Sequence, residues 1–181
     1  MIPNAKWIRP AQTTGDVCPV YSKQFSFFSS PNQSLSSVAH ATLSVTAMGV
    51  YEASLNGKRI GDFVLAPGWT SYRHRLQVQT YDVTELLSSE NELSILVGKG
   101  WYRSPLAWPD EAHRQQKAQI PAGLIALLTI TYTDGTTQLL PTGADWSAYE
   151  SNVRFSEIYD GETYDAAFDP SSAPIAIAEF D

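Results

Sequence analysis

ATLSVTAMGVYEASLNGKRIGDF, residues 41–63, carries the clearest structural signal in the chain. Apolar and polar residues alternate over 41–48, which is the period of a half-buried β-strand. A second strand of the same kind is predicted over 49–55. Asn56-Gly57 then supplies two residues that readily adopt positive φ, as a type I′ hairpin turn requires. The stretch therefore predicts antiparallel strands, the last of them returning over 58–63.

Short β-type runs recur along the rest of the chain and are separated by turn residues. Asp134-Gly135 is a second hairpin signal. Further strands are predicted over 20–28, 77–82, 91–97, 124–133 and 136–140, with a last strand region around Trp146, Tyr149 and Val153. This number of short strands predicts an all-β fold, namely a jelly-roll β-sandwich of antiparallel strands with long loops and little helix.

The composition describes an acidic chain that should fold. Of its 181 residues 43% are hydrophobic and 17% are charged, and the formal net charge is −7. That charge argues against non-specific binding to nucleic acid or to an anionic membrane, because both need a positive field. Cys18 is the single cysteine, so an internal disulfide is excluded. The sequence has neither the apolar core of a signal peptide nor a run near the ~20 residues of a membrane helix, so we expect a soluble, cytoplasmic protein.

Two longer irregular segments, 66–76 and 98–122, hold several aromatic residues. Loops of this length in a compact β domain are uncommon unless they are functional or mobile. Each aromatic residue there either fills the core or forms a platform on which the apolar face of a sugar stacks. Asn56 is likewise either a turn residue or a residue whose side chain faces a ligand. The candidate carbohydrate-binding residues are Asn56, Trp69, Tyr72, Trp101, Tyr102 and Trp108.

Asp110 and Glu111 in the second segment are the candidate metal ligands. Carboxylates together with backbone carbonyls hold calcium, which takes six to eight oxygens, and the alternative is a solvated acidic loop. The three histidines are scattered without metal-ligand spacing, so a transition-metal site is not predicted. Neither a defined pair of glycosidase carboxylates nor a Ser-His-Asp arrangement is visible. We therefore predict that this chain carries no catalytic residue.

Five separated motifs, taken together and in order, resemble one known family. They are GVYEASLNGKRIGD (49–62), LAPGWTSY (65–72), QTYDVT (79–84), GWYR (100–103) and IYDGETYD (158–165). This set is similar to the N-terminal region of bacterial α-L-rhamnosidases, and the match covers roughly residues 40–169. The chain departs from the family after GWYR, where it continues with SPLAWP (104–109) in place of a small Gly-rich run.

The resemblance implies a domain arrangement. A jelly-roll β-sandwich precedes another β domain and a large (α/α)6 barrel, which carries the acid and base of an inverting hydrolysis of terminal L-rhamnose. We accordingly expect one β-sandwich domain over 1–169. A Ser/Ala/Pro-containing linker over 170–181 would lead to a downstream domain outside this chain.

The resemblance also implies a function and its partners. The first hypothesis is an accessory domain that binds or positions L-rhamnose-containing glycosides or glycans. Its partner would be the downstream catalytic domain of the same natural chain. Calcium is the one cofactor that the resemblance suggests. The second is a purely structural sandwich that packs between domains or dimerises and has no sugar site. The third, a complete small enzyme or lectin, would require the natural chain to stop at Asp181.

Overall fold

A computed structural model describes residues 2–27, 34–106, 110–169 and 173–180. In chain order the described strands are β1 (Trp7–Pro10), β2 (Pro19–Ser26), β3 (Val38–Ala47), β4 (Val50–Leu55), β5 (Lys58–Arg59), β6 (Gln79–Asp82), β7 (Glu90–Gly98), β8 (Leu124–Tyr132), β9 (Thr137–Pro141), β10 (Ser147–Glu150), β11 (Val153–Glu157), β12 (Gly161–Tyr164) and β13 (Ile177–Phe180). The helices are α1 (Gly100–Arg103) and α2 (Glu111–Ala118), with 3₁₀ turns at Leu35–Ser37 and Thr84–Leu86.

The strands form two main antiparallel sheets and one separate hairpin. The first sheet has the order β13-β1-β8-β3-β6, and β9 also pairs with β8. The second sheet has the order β10-β2-β7-β4-β5. Strands β11 and β12 pair only with each other among the described strands. This arrangement confirms the predicted all-β sandwich with little helix.

One apolar core lies between the two sheets. Leu43 and Val45 of β3 are fully buried, as the alternating pattern of that strand predicts. Leu55 of β4 and Ile95 of β7 are fully buried as well and belong to the same cluster. Each such side chain contributes about 1.5–3 kcal/mol relative to an exposed one. The stretch at 41–63 therefore supplies an inner strand to each sheet, β3 to the first and β4 to the second.

The predicted hairpin turn is present at Asn56-Gly57. Both residues have positive φ, 55° and 73°, as a type I′ turn requires. The return strand β5 is only two residues long, so the predicted strand over 58–63 is correct in position but too long. Ile60 is buried and its N–H bonds to the carbonyl of Ala53, after which residues 61–65 are exposed and lie outside regular structure.

Both ends of the chain add strands that the sequence pattern did not indicate. Strand β13 lies within the segment expected to be a linker, yet it pairs along its length with β1 at the edge of the first sheet. The irregular segment 98–122 contains both helices. Phe28, at the end of the first predicted strand, lies outside the described residues. Within the described part of the chain, none of the helices has the length and apolarity needed to cross a membrane.

Candidate functional site

Residues 61–78, which we call the Trp69 loop, expose more large apolar side chains than any comparable stretch that the structure describes. The indole of Trp69 is 67% exposed. The other exposed apolar residues of the loop are Phe63, Val64, Leu65 and Val78. A stable monomer gains nothing from such exposure, and an exposed apolar patch marks a contact surface.

Side-chain hydrogen bonds hold the backbone of the Trp69 loop at three successive carbonyls. The carbonyl of Pro67 accepts from Nε2 of Gln79 at 3.2 Å, and that of Trp69 accepts from Nε2 of Gln77 at 3.1 Å. The carbonyl of Gly68 accepts from the hydroxyl of Tyr72 at 3.1 Å. Because both neighbours are held as well, the Trp69 backbone is fixed while its ring faces solvent.

Tyr72 and Tyr102 come together although thirty residues of sequence separate them. Their ring centroids lie 4.7 Å apart with the planes inclined by 52°. Burial raises the pKa of the Tyr72 hydroxyl, which therefore remains a neutral donor. Both rings are half-buried, so each still offers part of its surface to solvent.

A glycine sets the position of Tyr102. Gly100 begins helix α1 with a φ of +51°, a region that residues with a Cβ rarely adopt. A Cβ at Gly100 would also lie 2.6 Å from Cγ1 of Val50 and 2.8 Å from its backbone nitrogen. The GWYR motif therefore packs against strand β4, and its Trp101 and Tyr102 are half-buried.

The side chain of Asn56 makes three hydrogen bonds within the protein. Its Nδ2 donates to the carbonyl of Leu86 at 2.9 Å and to Oδ1 of Asn91 at 3.0 Å. Its Oδ1 accepts from the backbone N–H of Glu92 at 2.9 Å. The side chain thus ties the β4–β5 turn to the start of β7, and the geometry favours the turn interpretation.

Glu157 anchors the β11–β12 hairpin, which contains the IYDGETYD motif. The carboxylate accepts hydrogen bonds from the Ser104 hydroxyl and from the backbone N–H groups of Tyr159 (2.5 Å) and Asp160 (2.7 Å). Burial alone would raise the pKa of this buried carboxyl, but the three hydrogen bonds outweigh it and lower the pKa. Glu157 is therefore held ionised, unlike the general acid of a glycosidase, whose pKa is raised.

The candidate metal ligands take part in the start of helix α2. Asp110 is its N-cap residue, and its carboxylate accepts from the backbone N–H of Ala112 at 3.1 Å. Glu111 accepts from Gln115 at 3.1 Å. The described residues contain no group of three or more His, Cys, Asp or Glu side chains that could hold a metal ion. Calcium needs six to eight oxygen ligands. We therefore give calcium no role in the site, and the calcium site stays a prediction.

A basic pocket beside α1 and α2 was missed at the sequence level. It has a volume of about 390 Å³, and Lys99, Arg103, Arg114 and Lys117 are among its lining residues. The overall charge of −7 conceals this local concentration of cations. Trp108, the remaining candidate, lies outside the described residues, so its position relative to the pocket and the Trp69 loop stays untested.

The class of protein that these features define is an antiparallel β-sandwich domain with exposed aromatic residues on one loop. A model of the α-L-rhamnosidase N-terminal domain matches residues 36–172. The chain belongs to this family. The resemblance carried by the five motifs is thereby confirmed.

Individual relatives agree with that assignment. An α-L-rhamnosidase of Streptomyces avermitilis is 43% identical over 130 residues, which are 71% of this chain and 12% of the relative. The crystal structure of α-L-rhamnosidase from Aspergillus terreus superposes with a TM-score of 0.84 at 31% identity, over 99% of this chain and 21% of that one. The S. avermitilis enzyme complexed with L-rhamnose superposes with a TM-score of 0.74 at 34% identity, over 91% of this chain and 16% of that one. The chain thus spans only about an eighth of its curated relative's length.

Proposed function

We propose that the chain acts as the N-terminal accessory domain of an α-L-rhamnosidase and binds L-rhamnose-containing glycosides at the Trp69 loop. In this proposal the hydrolysis takes place in a catalytic domain outside this chain. The observation that carries it is the Trp69 ring, which is 67% exposed on a backbone held by side-chain hydrogen bonds. A large ring on a fixed backbone loses little conformational entropy when a ligand binds.

The proposed contact is stacking. A sugar presents an apolar C–H face, and the ring of Trp69 offers apolar area with a negative π face. The Tyr72–Tyr102 pair lies beside the loop, since Tyr72 belongs to it and donates to Gly68. We place the proposed site on Trp69, Tyr72 and Tyr102. Asn56 is left out because its amide groups are already bonded within the domain.

The test is a calorimetric titration of the 181-residue chain with L-rhamnose. We expect saturable heat that is lost in Trp69→Ala, because the stacking surface is removed. Tyr159→Ala is the matched control, since Tyr159 is 62% exposed but is not one of the three residues on which we place the proposed site. A flat titration, or equal loss in both variants, would overturn the proposal. Repeating the titration with calcium and with a chelator tests the calcium prediction.

A second candidate function, a surface for packing between domains, is favoured by a different observation. Val64 and Leu65 are 68% and 45% exposed, and they line a cavity of about 180 Å³ together with Val153 and Glu162 of the β11–β12 hairpin. All four residues of β12 are exposed. An apolar loop and an uncovered hairpin thus face one cavity, as expected of a surface that another domain or a second copy covers.

Self-association discriminates this second function. Sedimentation velocity over a concentration series should show association that Val64→Asp abolishes, because a charge in an apolar interface is costly. Lys58→Asp, an exposed change on β5, is the control for added negative charge. Association that persists in Val64→Asp, or a chain that stays monomeric throughout, would remove the self-association form of this candidate.

A further inference from the structure

The four cations of the basic pocket come from the end of β7, from α1 and from α2, and the pocket lies next to the tyrosine pair. Lys99 follows strand β7, and Arg103 ends helix α1. Arg114 and Lys117 are three residues apart on α2, so their side chains share one face of that helix. Lys117 donates from Nζ to the backbone carbonyl of Tyr102 at 3.0 Å. This bond connects the pocket to the Tyr102 ring and, through it, to Tyr72.

The acids in the pocket wall do not neutralise most of these cations. Asp16 pairs with Lys99 at 2.6 Å. Glu157 directs its oxygens to the Ser104 hydroxyl and to two backbone N–H groups. Asp160, the third acid in the wall, is exposed on the hairpin turn. Among the described residues, the lysine and arginine side chains that form ion pairs are Lys23, Arg59, Lys99 and Arg154.

Arg103, Arg114 and Lys117 are therefore without a carboxylate within 4.0 Å in the described part of the chain. Arg103 donates from Nε to the carbonyl of Ile120 at 3.2 Å, a neutral acceptor. Burial lowers the pKa of Arg103. Burial, followed by the neighbouring charge of Arg73, lowers the pKa of Lys117. Each shift means that the positive charge is disfavoured where it stands, and a bound anion would relieve that cost.

The shape of the pocket suits a ligand larger than a single ion. About 390 Å³ lies within the range of small-molecule sites. The ring of Phe155 forms part of the wall, and Nζ of Lys99 lies 4.5 Å from its centroid. A guanidinium group presents paired N–H donors that match the two oxygens of a carboxylate or a sulfate. The pocket thus combines a cationic end with apolar area, as a sugar that carries an acidic group requires.

We propose that this pocket binds the carboxylate or sulfate of an acidic sugar unit, while an adjoining neutral sugar stacks on the Tyr72–Tyr102 pair and Trp69. The proposal extends the proposed function, on which its second half rests. It assigns the domain a preference for anionic glycans over neutral ones. In the described part of the chain, three cations of the pocket have no carboxylate within 4.0 Å, and they mark the position of the anionic group.

The test is a set of calorimetric titrations of the 181-residue chain with matched ligands. D-glucuronate and D-glucose differ in the carboxylate, and we expect glucuronate to bind at least about tenfold more tightly. About 0.5 M sodium chloride should remove most of that difference, because salt screens exposed charges. Arg114→Ala should weaken glucuronate binding about tenfold, and since this side chain is exposed, the fold should be retained. Lys58→Ala, on the β4–β5 hairpin, is the matched control and should bind as the unaltered chain does.

Two further results separate this proposal from the previous one, and a third tests the preference for a sugar. Glucuronate and glucose binding equally, with L-rhamnose still bound, would overturn the basic pocket and leave the Trp69 site intact. Glucuronate binding that depends on Arg114, without any heat from L-rhamnose, would support the pocket and overturn the neutral site. Inorganic sulfate binding as tightly as glucuronate would overturn the sugar preference. That last result would indicate a general anion site, such as one for the acidic side chains of another domain.

Discussion

The Asn56-Gly57 turn and the Trp69 loop lie within the same thirty residues and differ in whether their side chains bond within the domain or face solvent. In the turn, the side-chain amide of Asn56 makes three hydrogen bonds to neighbouring segments of the domain. The Trp69 loop has a backbone that is equally well held, yet it leaves a 67% exposed indole in water.

This difference separates scaffold from contact surface. Hydrogen bonds hold both regions, so bonding of the segment does not by itself distinguish them. What distinguishes them is whether the side chain bonds within the domain or remains exposed to solvent. The Asn56 side chain bonds within the domain, and Trp69 is 67% exposed. The variants below test that contrast, beginning with the scaffold that supports the loop.

Gly100→Ala should produce the largest loss of stability, about 3 kcal/mol in the free energy of unfolding. The new methyl group would overlap Val50, and the positive φ adds strain. Gly135→Ala is the control, because φ there is +83° but nothing lies within 4 Å of the added carbon, so about 1 kcal/mol is expected. Urea titrations followed by fluorescence measure both. Equal losses would show that α1 does not depend on close packing against β4.

Asn56→Ala should lower the free energy of unfolding by about 2 kcal/mol. It removes three hydrogen bonds and leaves the N–H of Glu92 and the carbonyl of Leu86 without that partner. Asn56→Gly keeps the positive φ and isolates the side-chain contribution. If Asn56→Gly also abolished sugar binding while the chain stayed folded, Asn56 would belong to the contact surface and the contrast would fail.

Glu157→Gln should cost about 1.5 kcal/mol at pH 7, since a charged acceptor of three hydrogen bonds becomes neutral. The pKa of Glu157 is depressed in the folded state. Its contribution is therefore complete above the unfolded pKa of about 4.3 and is lost as the pH falls through the folded pKa. Melting temperatures between pH 7 and pH 3 should converge for the two proteins at the acid end. Parallel curves would contradict this role for the carboxylate.

Trp69→Ala should have the smallest effect on stability, within about 0.5 kcal/mol, because its side chain is mainly in solvent. Its effect on sugar binding should be the largest of the four. A thermal melt and a rhamnose titration of the same preparation give both values. A loss of more than about 2 kcal/mol would show that Trp69 supports the fold, and the contrast with Asn56 would then disappear.

Local patterns were sufficient for the central strands and turns. Alternation over 41–48 placed Leu43 and Val45 in the core, and Asn56-Gly57 predicted its own turn type. Strand β13 could not be found this way, because its order depends on pairing with β1, which lies about 170 residues earlier. Helix α2 was missed since its residues are mostly polar and exposed, which leaves no apolar stripe to detect.

The sequence by itself determined the sandwich, the two hairpins at Asn56-Gly57 and Asp134-Gly135, and the family, because strand period, turn chemistry and motif order are local or additive properties. Only the tertiary structure decided which polar and aromatic side chains remain available. In the folded protein Asn56 is hydrogen-bonded to Asn91, and the ring of Tyr72 contacts that of Tyr102. The cations of α1 and α2 line one pocket. The physical reason is that exposure and pairing are set by distant segments that meet only when the two sheets close.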